Sequence, residues 1–304
     1  MSPAINKTTK CMSRYNRTKA LLKQHQNLSK TTPTPTPVLS IPRAPTPAYL
    51  ESVDSPQSVR LDPKEAALRK KHLLILDLNG TLLSRTNRRT GMFVRPHIDA
   101  FLNYIFDHFK VMVWSSAQAP SVCHMVSLFG EKHKAQLVKT WSRSHFGLSS
   151  LDIQRKTPTI KDLTRVWGKF KKYSAHNTVI LDDSPSKSVL QPYNSIHLHT
   201  FNHNSTEFLT HGDHELLSVM DYLKQLQLQT NIPNFMRNTP YASISPSHLD
   251  TALAEESKVC HYYGFYDDLV HTKHDFSNNT TVKVDDQVET DNVDKLKKNT
   301  HTRF

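Results

Sequence analysis

Apolar residues along the chain fall into short continuous runs and into longer stretches with helical spacing. Leu73-Leu74-Ile75-Leu76 and residues 111–114 are fully apolar, and residues 178–181 are nearly so. Continuous runs of this length are typical of strands that are buried on both faces of a parallel sheet. Residues 137–141 and 196–199 predict two further short strands.

The stretches between these runs carry apolar residues at i, i+3, i+4 and i+7, which predicts amphipathic helices. The clearest helix follows Arg95-Pro96, and its apolar face consists of Ile98, Phe101, Leu102, Ile105 and Phe106. Other helices are predicted over residues 121–129, 160–170 and 214–226, with a short helical lead-in over 64–70. Because strands alternate with helices, the pattern predicts an α/β fold with a central, mainly parallel sheet and helices on both faces.

The two ends of the chain show neither the apolar runs of buried strands nor the spacing of amphipathic helices. Residues 1–66 include the Pro-rich run 32–37 and predict a basic, Pro/Thr-rich disordered arm. Residues 67–230 are long enough for one full core, and we expect the ordered domain there. Residues 231–304 are mostly polar and predict a largely disordered tail. The aromatic cluster at 262–266 either docks on the domain or a partner, or has no role.

The net charge of +12 belongs mainly to the N-terminal arm, because residues 1–50 contain eight Lys or Arg residues and no acidic residue. The basic isoelectric point therefore does not describe a nucleic-acid-binding surface, and we expect no nucleic-acid partner. An acid-free basic start is also typical of transit peptides, which leaves the mitochondrion as an alternative to the nucleus or cytoplasm. No apolar run approaches the roughly 20 residues of a membrane span, so none is expected. Three separated cysteines without a CxxC pair argue against a cysteine-based zinc site.

Polar residues suited to binding one phosphate follow three of the predicted strands. The first strand ends in Asp77-Leu78-Asn79-Gly80-Thr81, the second in Ser115 and the third in Asp182-Asp183, and Lys161 lies on the predicted helix before the third. Ligands of open parallel sheets bind at the carboxyl ends of the strands. Each feature also has an ordinary explanation, namely an Asx turn, a strand end, a helix cap or a solvated lysine. Their occurrence together in this order favours a shared site.

The chemistry of these residues is consistent with phosphoryl transfer. An aspartate at a strand end can attack phosphorus and form an aspartyl-phosphate. Phosphoryl charge must be neutralised during transfer, which a lysine and a Mg²⁺ ion held by carboxylates can do. Gly80 and Thr81 form the turn whose backbone N–H groups face the phosphate, and the Ser115 hydroxyl supplies another donor.

These segments resemble the motifs of the haloacid dehalogenase superfamily, whose fold is a Rossmann-like three-layer sandwich. The matching segments are Asp77-Leu78-Asn79-Gly80-Thr81-Leu82, Val113-Trp114-Ser115-Ser116-Ala117, Lys161-Asp162-Leu163 and Ile180-Leu181-Asp182-Asp183-Ser184-Pro185. More narrowly they are similar to the FCP-homology, or NLI-interacting-factor-like, phosphatases, over about residues 70–225. That family is Mg²⁺-dependent and acts mainly on protein phosphoserine and phosphothreonine. It also includes the presequence-receptor subunit of the mitochondrial inner-membrane translocase.

The resemblance implies a role for each matching residue. Asp77 is implied to be the nucleophile and a metal ligand, Ser115 to hold phosphoryl oxygens, and Lys161 to neutralise the phosphate and position Asp77. Asp183 is implied to bind Mg²⁺, with Asp182 beside it orienting the site.

Asn79 departs from the family pattern. The family has its general acid/base aspartate at this place, and the backbone carbonyl there is also a metal ligand. An amide cannot act as a general acid at neutral pH. Two functions follow as hypotheses. The first is a Mg²⁺-dependent protein phosphatase that is slowed by Asn79 and acts on a phosphorylated protein. The alternative is a catalytically weak subunit that binds a partner protein, such as a presequence receptor of protein import.

Overall fold

The structure of the chain, a computed structural model, describes residues 44–86, 91–155, 157–243, 251–264, 272–275 and 280–283. The strands are β1 (Leu73–Leu76), β2 (Leu83–Arg85), β3 (Gly91–Val94), β4 (Lys110–Trp114), β5 (Thr140–Trp141), β6 (Thr178–Asp182), β7 (Ser195–His197), β8 (Val259–Gly264), β9 (Thr272–Asp275) and β10 (Thr280–Lys283). The α-helices are α1 (Pro47–Asp54), α2 (Pro63–Leu68), α3 (Ile98–His108), α4 (Ala119–Met125), α5 (Gly130–Gln136), α6 (Ser150–Gln154), α7 (Leu163–Lys169), α8 (Thr206–His211), α9 (Glu215–Leu226), α10 (Ile232–Asn238) and α11 (Thr251–Glu256).

A five-stranded sheet in the order β5-β4-β1-β6-β7 forms the centre of the molecule, and every neighbouring pair in it is parallel. Its central strand β1 is fully buried, and successive side chains enter opposite layers. Leu74 and Leu76 belong to the apolar cluster formed with α3 and α9, whereas Leu73 and Ile75 belong to the cluster formed with Trp114 and α7. Helices therefore cover both faces, and the predicted α/β three-layer fold is confirmed.

The second sheet is antiparallel, in the order β10-β9-β8-β3-β2, and the sequence pattern did not predict it. Strands β2 and β3 form a hairpin between β1 and α3, with Leu83 opposite Val94. Strand β8, from the C-terminal part of the chain, pairs with β3, which places Tyr262 opposite Phe93. The described part of the predicted aromatic cluster therefore lies in this sheet, while residues 265 and 266 are outside the described residues.

The predicted disordered arm is wrong for residues 44–66. Helix α1 begins after the N-cap Thr46, whose hydroxyl oxygen accepts a hydrogen bond from the Tyr49 N–H. Tyr49 and Val53 are buried, and the Tyr49 hydroxyl accepts a hydrogen bond from the backbone of Tyr193. One turn of spacing between two buried residues is too short a pattern to identify a helix within a Pro-rich segment. The predictions for residues 1–43 lie outside the described residues.

The predicted start of the C-terminal tail at residue 231 is also wrong. Asn231 caps α10, and its side-chain amide donates to the carbonyls of Ser52 and Pro56. Ile232 and Asn234 in that helix are buried. The folded part of the chain therefore extends beyond residues 67–230 on both sides. Side-chain hydrogen bonds between distant segments hold the extensions, and these leave no periodic signal in the sequence.

Arg95 joins three segments around the carboxyl end of the sheet. Its guanidinium is fully buried and donates to both carboxylate oxygens of Asp213, at 2.8 Å each. It also donates to the Thr81 carbonyl at 2.9 Å and to the His199 carbonyl at 2.8 Å. A bidentate pair with two further acceptors satisfies the guanidinium. Arg95 therefore positions the turn that follows β1.

We expect Arg95→Met to destabilise the full chain by about 3–5 kcal/mol, because the mostly buried carboxylate of Asp213 loses its partner. Urea unfolding of the full chain measures the change. The exposed Arg69, replaced in the same way, is the matched control and should alter the free energy of unfolding by less than about 0.5 kcal/mol. Equal small losses in both variants would contradict the role given to Arg95.

Candidate active site

The carboxyl ends of β1, β4 and β6 meet at one edge of the parallel sheet. In register, Leu76 lies between Val113 and Leu181, and the Asp77 N–H donates to the Leu181 carbonyl at 2.9 Å. The residues that follow these strands are therefore neighbours, namely Asp77, Ser115, Asp182 and Asp183. As predicted, the sheet brings the polar strand ends together.

An acidic cluster is formed by Asp77, Asp182 and Asp183. One carboxylate oxygen of each residue lies within 4.8 Å of the corresponding oxygens of the other two. Asp77 and Asp182 are buried, and the Asp183 side chain is only slightly exposed. Oxygen donors in this arrangement suit a small, hard divalent cation. Asp77 Oδ1 is buried and has no hydrogen-bond partner among the described residues, although Lys161 Nζ lies 3.2 Å away. Lys161 is the cation beside this oxygen, and the fit to a divalent cation rests on the close carboxylate oxygens of the three aspartates.

Lys161 lies in the cluster but not on a helix, because α7 begins only at Leu163 after the N-cap Asp162. The Lys161 backbone N–H donates to the Lys187 carbonyl at 2.7 Å, which anchors the segment before the helix. The fully buried ammonium lies 2.6 Å from Asp182 Oδ2 and 3.2 Å from Asp77 Oδ1. The predicted meeting of Lys161 with Asp77 is therefore found, while the predicted helical position is corrected.

Gly80 occupies a backbone conformation that only glycine adopts readily, with φ of +86°. A Cβ atom at this position would lie 2.4 Å from Asp183 Oδ2, so the turn after β1 closes directly onto the acidic cluster. The adjacent Thr81 hydroxyl accepts a hydrogen bond from the Asp183 N–H at 3.2 Å. The Gly80 and Thr81 N–H groups, which were predicted to face a phosphate, donate to the carbonyls of Leu83 and Leu78 at 2.8 and 3.2 Å, and the phosphate-binding role of both residues stays a prediction.

Asn79 and Ser115 lie in the segments that follow β1 and β4. Asn79 is exposed, and its amide oxygen accepts a hydrogen bond from the Arg85 N–H in β2 at 3.2 Å. Ser115 is buried, and its hydroxyl oxygen accepts from the Ala117 N–H at 3.3 Å. The side chain of Asn79 is thus joined to the β2–β3 hairpin. The catalytic and ligand roles of these residues stay predictions.

Lys187 is the residue of the cluster that sequence reasoning missed. Its ammonium lies 3.2 Å from Asp77 Oδ2, 3.0 Å from Asp182 Oδ1 and 3.7 Å from Asp183 Oδ1. Its backbone belongs to the 3₁₀ turn Pro185–Lys187. A lysine only five residues after Asp182, beyond a turn-forming Ser-Pro pair, is the signal that was available.

The charges of the cluster stabilise one another unequally. Burial is the largest influence on Asp182 and raises its pKa, but the ammonium groups of Lys161 and Lys187 together hold that pKa below the ordinary value. Burial outweighs Lys187 at Asp183 and raises the pKa of that carboxyl. Burial also lowers the pKa of Lys187, yet Asp77 and Asp182 raise it above the ordinary lysine value. Lys187 is therefore charged at neutral pH, and Asp182 is ionised.

The model of the NLI interacting factor-like phosphatase family matches residues 72–233, which is more than half of the chain. The chain belongs to this family. The match covers the acidic cluster and both lysines, and it confirms the resemblance that the sequence motifs indicated. Family membership supports a phosphatase function at the level of the family.

Curated relatives of this phosphatase domain fall into two kinds. An uncharacterised FCP1 homology domain-containing protein of Schizosaccharomyces pombe is 34% identical over 202 residues, which are 60% of this chain and 82% of that protein. The human ubiquitin-like domain-containing CTD phosphatase 1 is 26% identical over 160 residues, which are 51% of this chain and 50% of that protein. The chain thus spans about half the length of the CTD phosphatase. These relatives do not support the presequence-receptor alternative.

Among solved structures, the fission yeast RNA polymerase II CTD phosphatase Fcp1 bound to beryllium fluoride aligns with a TM-score of 0.36 and 15% identity. The alignment covers 64% of this chain and 63% of that one.

Within the part of the chain that the structure describes, no helix has the length and apolar character of a membrane span.

Proposed function

We propose that this chain is a Mg²⁺-dependent phosphatase that removes phosphate from phosphoserine or phosphothreonine of a protein by way of an aspartyl-phosphate on Asp77. The observation that carries the proposal is the Asp77 carboxylate at the end of β1, with one oxygen beside Lys161 and the other beside Lys187. Two ammonium groups therefore lie beside the carboxylate that attacks phosphorus. They also favour the approach of a phosphate dianion.

In the first step, an oxygen of Asp77 forms a bond to phosphorus as the bond from phosphorus to the substrate oxygen breaks. The buried ammonium of Lys161 stays beside Asp77 and offsets the negative charge on the phosphoryl oxygens. The Ser115 hydroxyl donates a hydrogen bond to one of those oxygens. In the second step, water attacks phosphorus, phosphate leaves and the Asp77 carboxylate is restored.

The acidic cluster would hold the metal through the carboxylates of Asp77 and Asp183, with Asp182 beside them and the backbone carbonyl of Asn79 as a further donor. Mg²⁺ supplies Lewis-acid neutralisation of phosphoryl charge when it is bound. The three carboxylates with mutually close oxygens support this assignment.

Asn79 makes both steps slow. The departing serine or threonine oxygen needs a proton, and the attacking water must lose one, but an amide can do neither at neutral pH. General acid/base catalysis usually contributes about 10²–10⁴ in rate. Aryl phosphates should be the better test substrates, because an aryl oxide leaves without a proton more readily than an alkoxide does. A natural substrate then reacts slowly or supplies its own acid.

Among proteins, a phosphorylated segment such as the CTD named in the curated relatives is the substrate class that we favour. The domain that this chain shares with those relatives supports this choice. The alignment covers 50% of the human CTD phosphatase, and the rest of that protein lies outside it. A phosphate-binding protein with little turnover is the second candidate, and the exposed Asn79 in place of an acid favours it.

We expect an aspartyl-phosphate to accumulate on the full chain, since hydrolysis of this acyl phosphate lacks its base. The chain would be mixed with Mg²⁺ and p-nitrophenyl phosphate, quenched in acid and digested, and the peptide containing Asp77 analysed by mass spectrometry. Nitrophenol should appear in a burst that is stoichiometric with the enzyme, followed by a slower steady rate. Chelation of Mg²⁺ should abolish both phases.

The position of the label decides between the candidate functions. Phosphate on another residue would overturn the assignment of Asp77. Absence of both label and turnover, with phosphate still protecting the chain against thermal unfolding, would favour the binding protein.

A further inference from the structure

The Lys187 ammonium lies among the oxygens that a divalent cation would use. It is within 3.2 Å of both Asp77 Oδ2 and Asp182 Oδ1, and 3.7 Å from Asp183 Oδ1. These are the same three residues whose carboxylates form the acidic cluster. A lysine ammonium is a compact point charge, so it can occupy such a position much as a small cation does.

The two lysines divide the carboxylate oxygens between them. Lys161 contacts Asp77 Oδ1 and Asp182 Oδ2, and its side chain is completely buried. Lys187 contacts the opposite oxygen of each carboxylate, and its side chain keeps 17% of its surface exposed. Lys161 is therefore fixed on the inner side, whereas Lys187 lies on the outer side and has a path to solvent.

The backbone holds Lys187 independently of its ammonium. Its N–H donates to the Ser184 carbonyl at 3.0 Å, and its carbonyl accepts from the Lys161 N–H at 2.7 Å. The Ser184 N–H in turn donates to Asp182 Oδ1 at 2.9 Å. The side chain can therefore leave the carboxylates by rotation about its flexible stem while the turn and Lys161 stay in place.

We propose that Lys187 is the internal counter-ion of the acidic cluster, and that a divalent cation binds only by displacing its ammonium from Asp77 and Asp183. The inference rests on the proposed function, since the cation is the Mg²⁺ of that reaction. Two like charges in contact with the same carboxylate oxygens repel strongly, so the two cations exclude each other. The displaced ammonium moves outward, towards the solvent to which the Lys187 side chain is already partly exposed. Lys187 is thus a positioning residue that sets metal affinity.

Calorimetric titration of the metal-free full chain with Mg²⁺ tests this exclusion directly. We expect Lys187→Met to tighten Mg²⁺ binding roughly tenfold or more, because one close charge contributes on that scale near a protein surface. Without metal, the same variant should melt at a lower temperature, since three carboxylates lose a neutralising charge. Saturating Mg²⁺ should restore most of that loss. If Lys187 had only a structural role, Lys187→Met would lower the melting temperature without tightening Mg²⁺ binding.

Three variants make the outcome decisive. Lys187→Arg keeps the charge and should bind Mg²⁺ no more tightly than the native chain, and Lys187→Gln replaces Lys187→Met if the latter does not fold. Lys224→Met is the matched control, because that exposed lysine pairs with the exposed Asp221 on the surface of α9 and the change should leave affinity unchanged. Unchanged or weaker Mg²⁺ binding in Lys187→Met would overturn the inference, yet leave the phosphatase proposal intact. If neither the native chain nor Lys187→Met binds Mg²⁺, the inference and the metal-dependent reaction both fail.

Discussion

Turnover of p-nitrophenyl phosphate by the full chain is expected to fall by roughly 10⁴-fold or more in Asp77→Asn, because an amide oxygen cannot replace the attacking carboxylate. The change is nearly isosteric, and Lys161 keeps its 2.6 Å contact with Asp182. The variant should therefore fold. Steady-state release of nitrophenol measures the loss, and circular dichroism and thermal unfolding verify the fold.

Asp107→Asn is the matched control for that experiment. Asp107 is an exposed residue of α3, so the same chemical change there should leave turnover within about twofold of native. The burst of nitrophenol and the label on residue 77 should also disappear in Asp77→Asn. If Asp77→Asn turns over p-nitrophenyl phosphate at the native rate, another group attacks phosphorus and the aspartyl-phosphate mechanism is wrong.

Asn79→Asp is expected to raise the steady rate by about 10²–10⁴-fold, which is the usual contribution of a general acid/base. The position is exposed, and a carboxylate can accept the Arg85 N–H as the amide oxygen now does at 3.2 Å. The new side chain should therefore fit without disturbing the hairpin. The gain should be larger for a phosphoserine peptide than for p-nitrophenyl phosphate, because the alkoxide needs the proton more.

The accumulated aspartyl-phosphate separates an effect on chemistry from one on binding. In Asn79→Asp the burst should shrink or vanish as hydrolysis overtakes formation, and KM should rise towards the dissociation constant of the substrate because the intermediate no longer accumulates. Asn103→Asp, at an exposed position in α3, controls for the added negative charge. A rate unchanged by Asn79→Asp would indicate that another group already supplies the proton. If both the native chain and Asn79→Asp are inactive, the phosphate-binding protein is favoured.

Much of the domain follows from local pattern. The central strand is a continuous apolar run buried on both faces, and α3 has the apolar spacing of a helix that packs on one face. Both signals arise within a few residues of sequence, because burial imposes the period of the element on it. The limits of the domain were harder to predict, since contacts between distant segments hold α1 and α10, such as the hydrogen bonds from Tyr193 to Tyr49 and from Asn231 to Ser52.

By itself, the sequence determined the α/β fold, the family, and the meeting of Asp77, Lys161, Asp182 and Asp183 at the carboxyl edge of the sheet. It could do so because parallel strands that end in polar residues must present them on the same side. Only the tertiary structure decided which oxygens each lysine contacts, the place of Lys187 among the carboxylates, and the pairing of β8 with β3. Such contacts depend on distances between segments far apart in the chain or on the fold of a turn. Residue type and spacing within one segment do not specify such contacts.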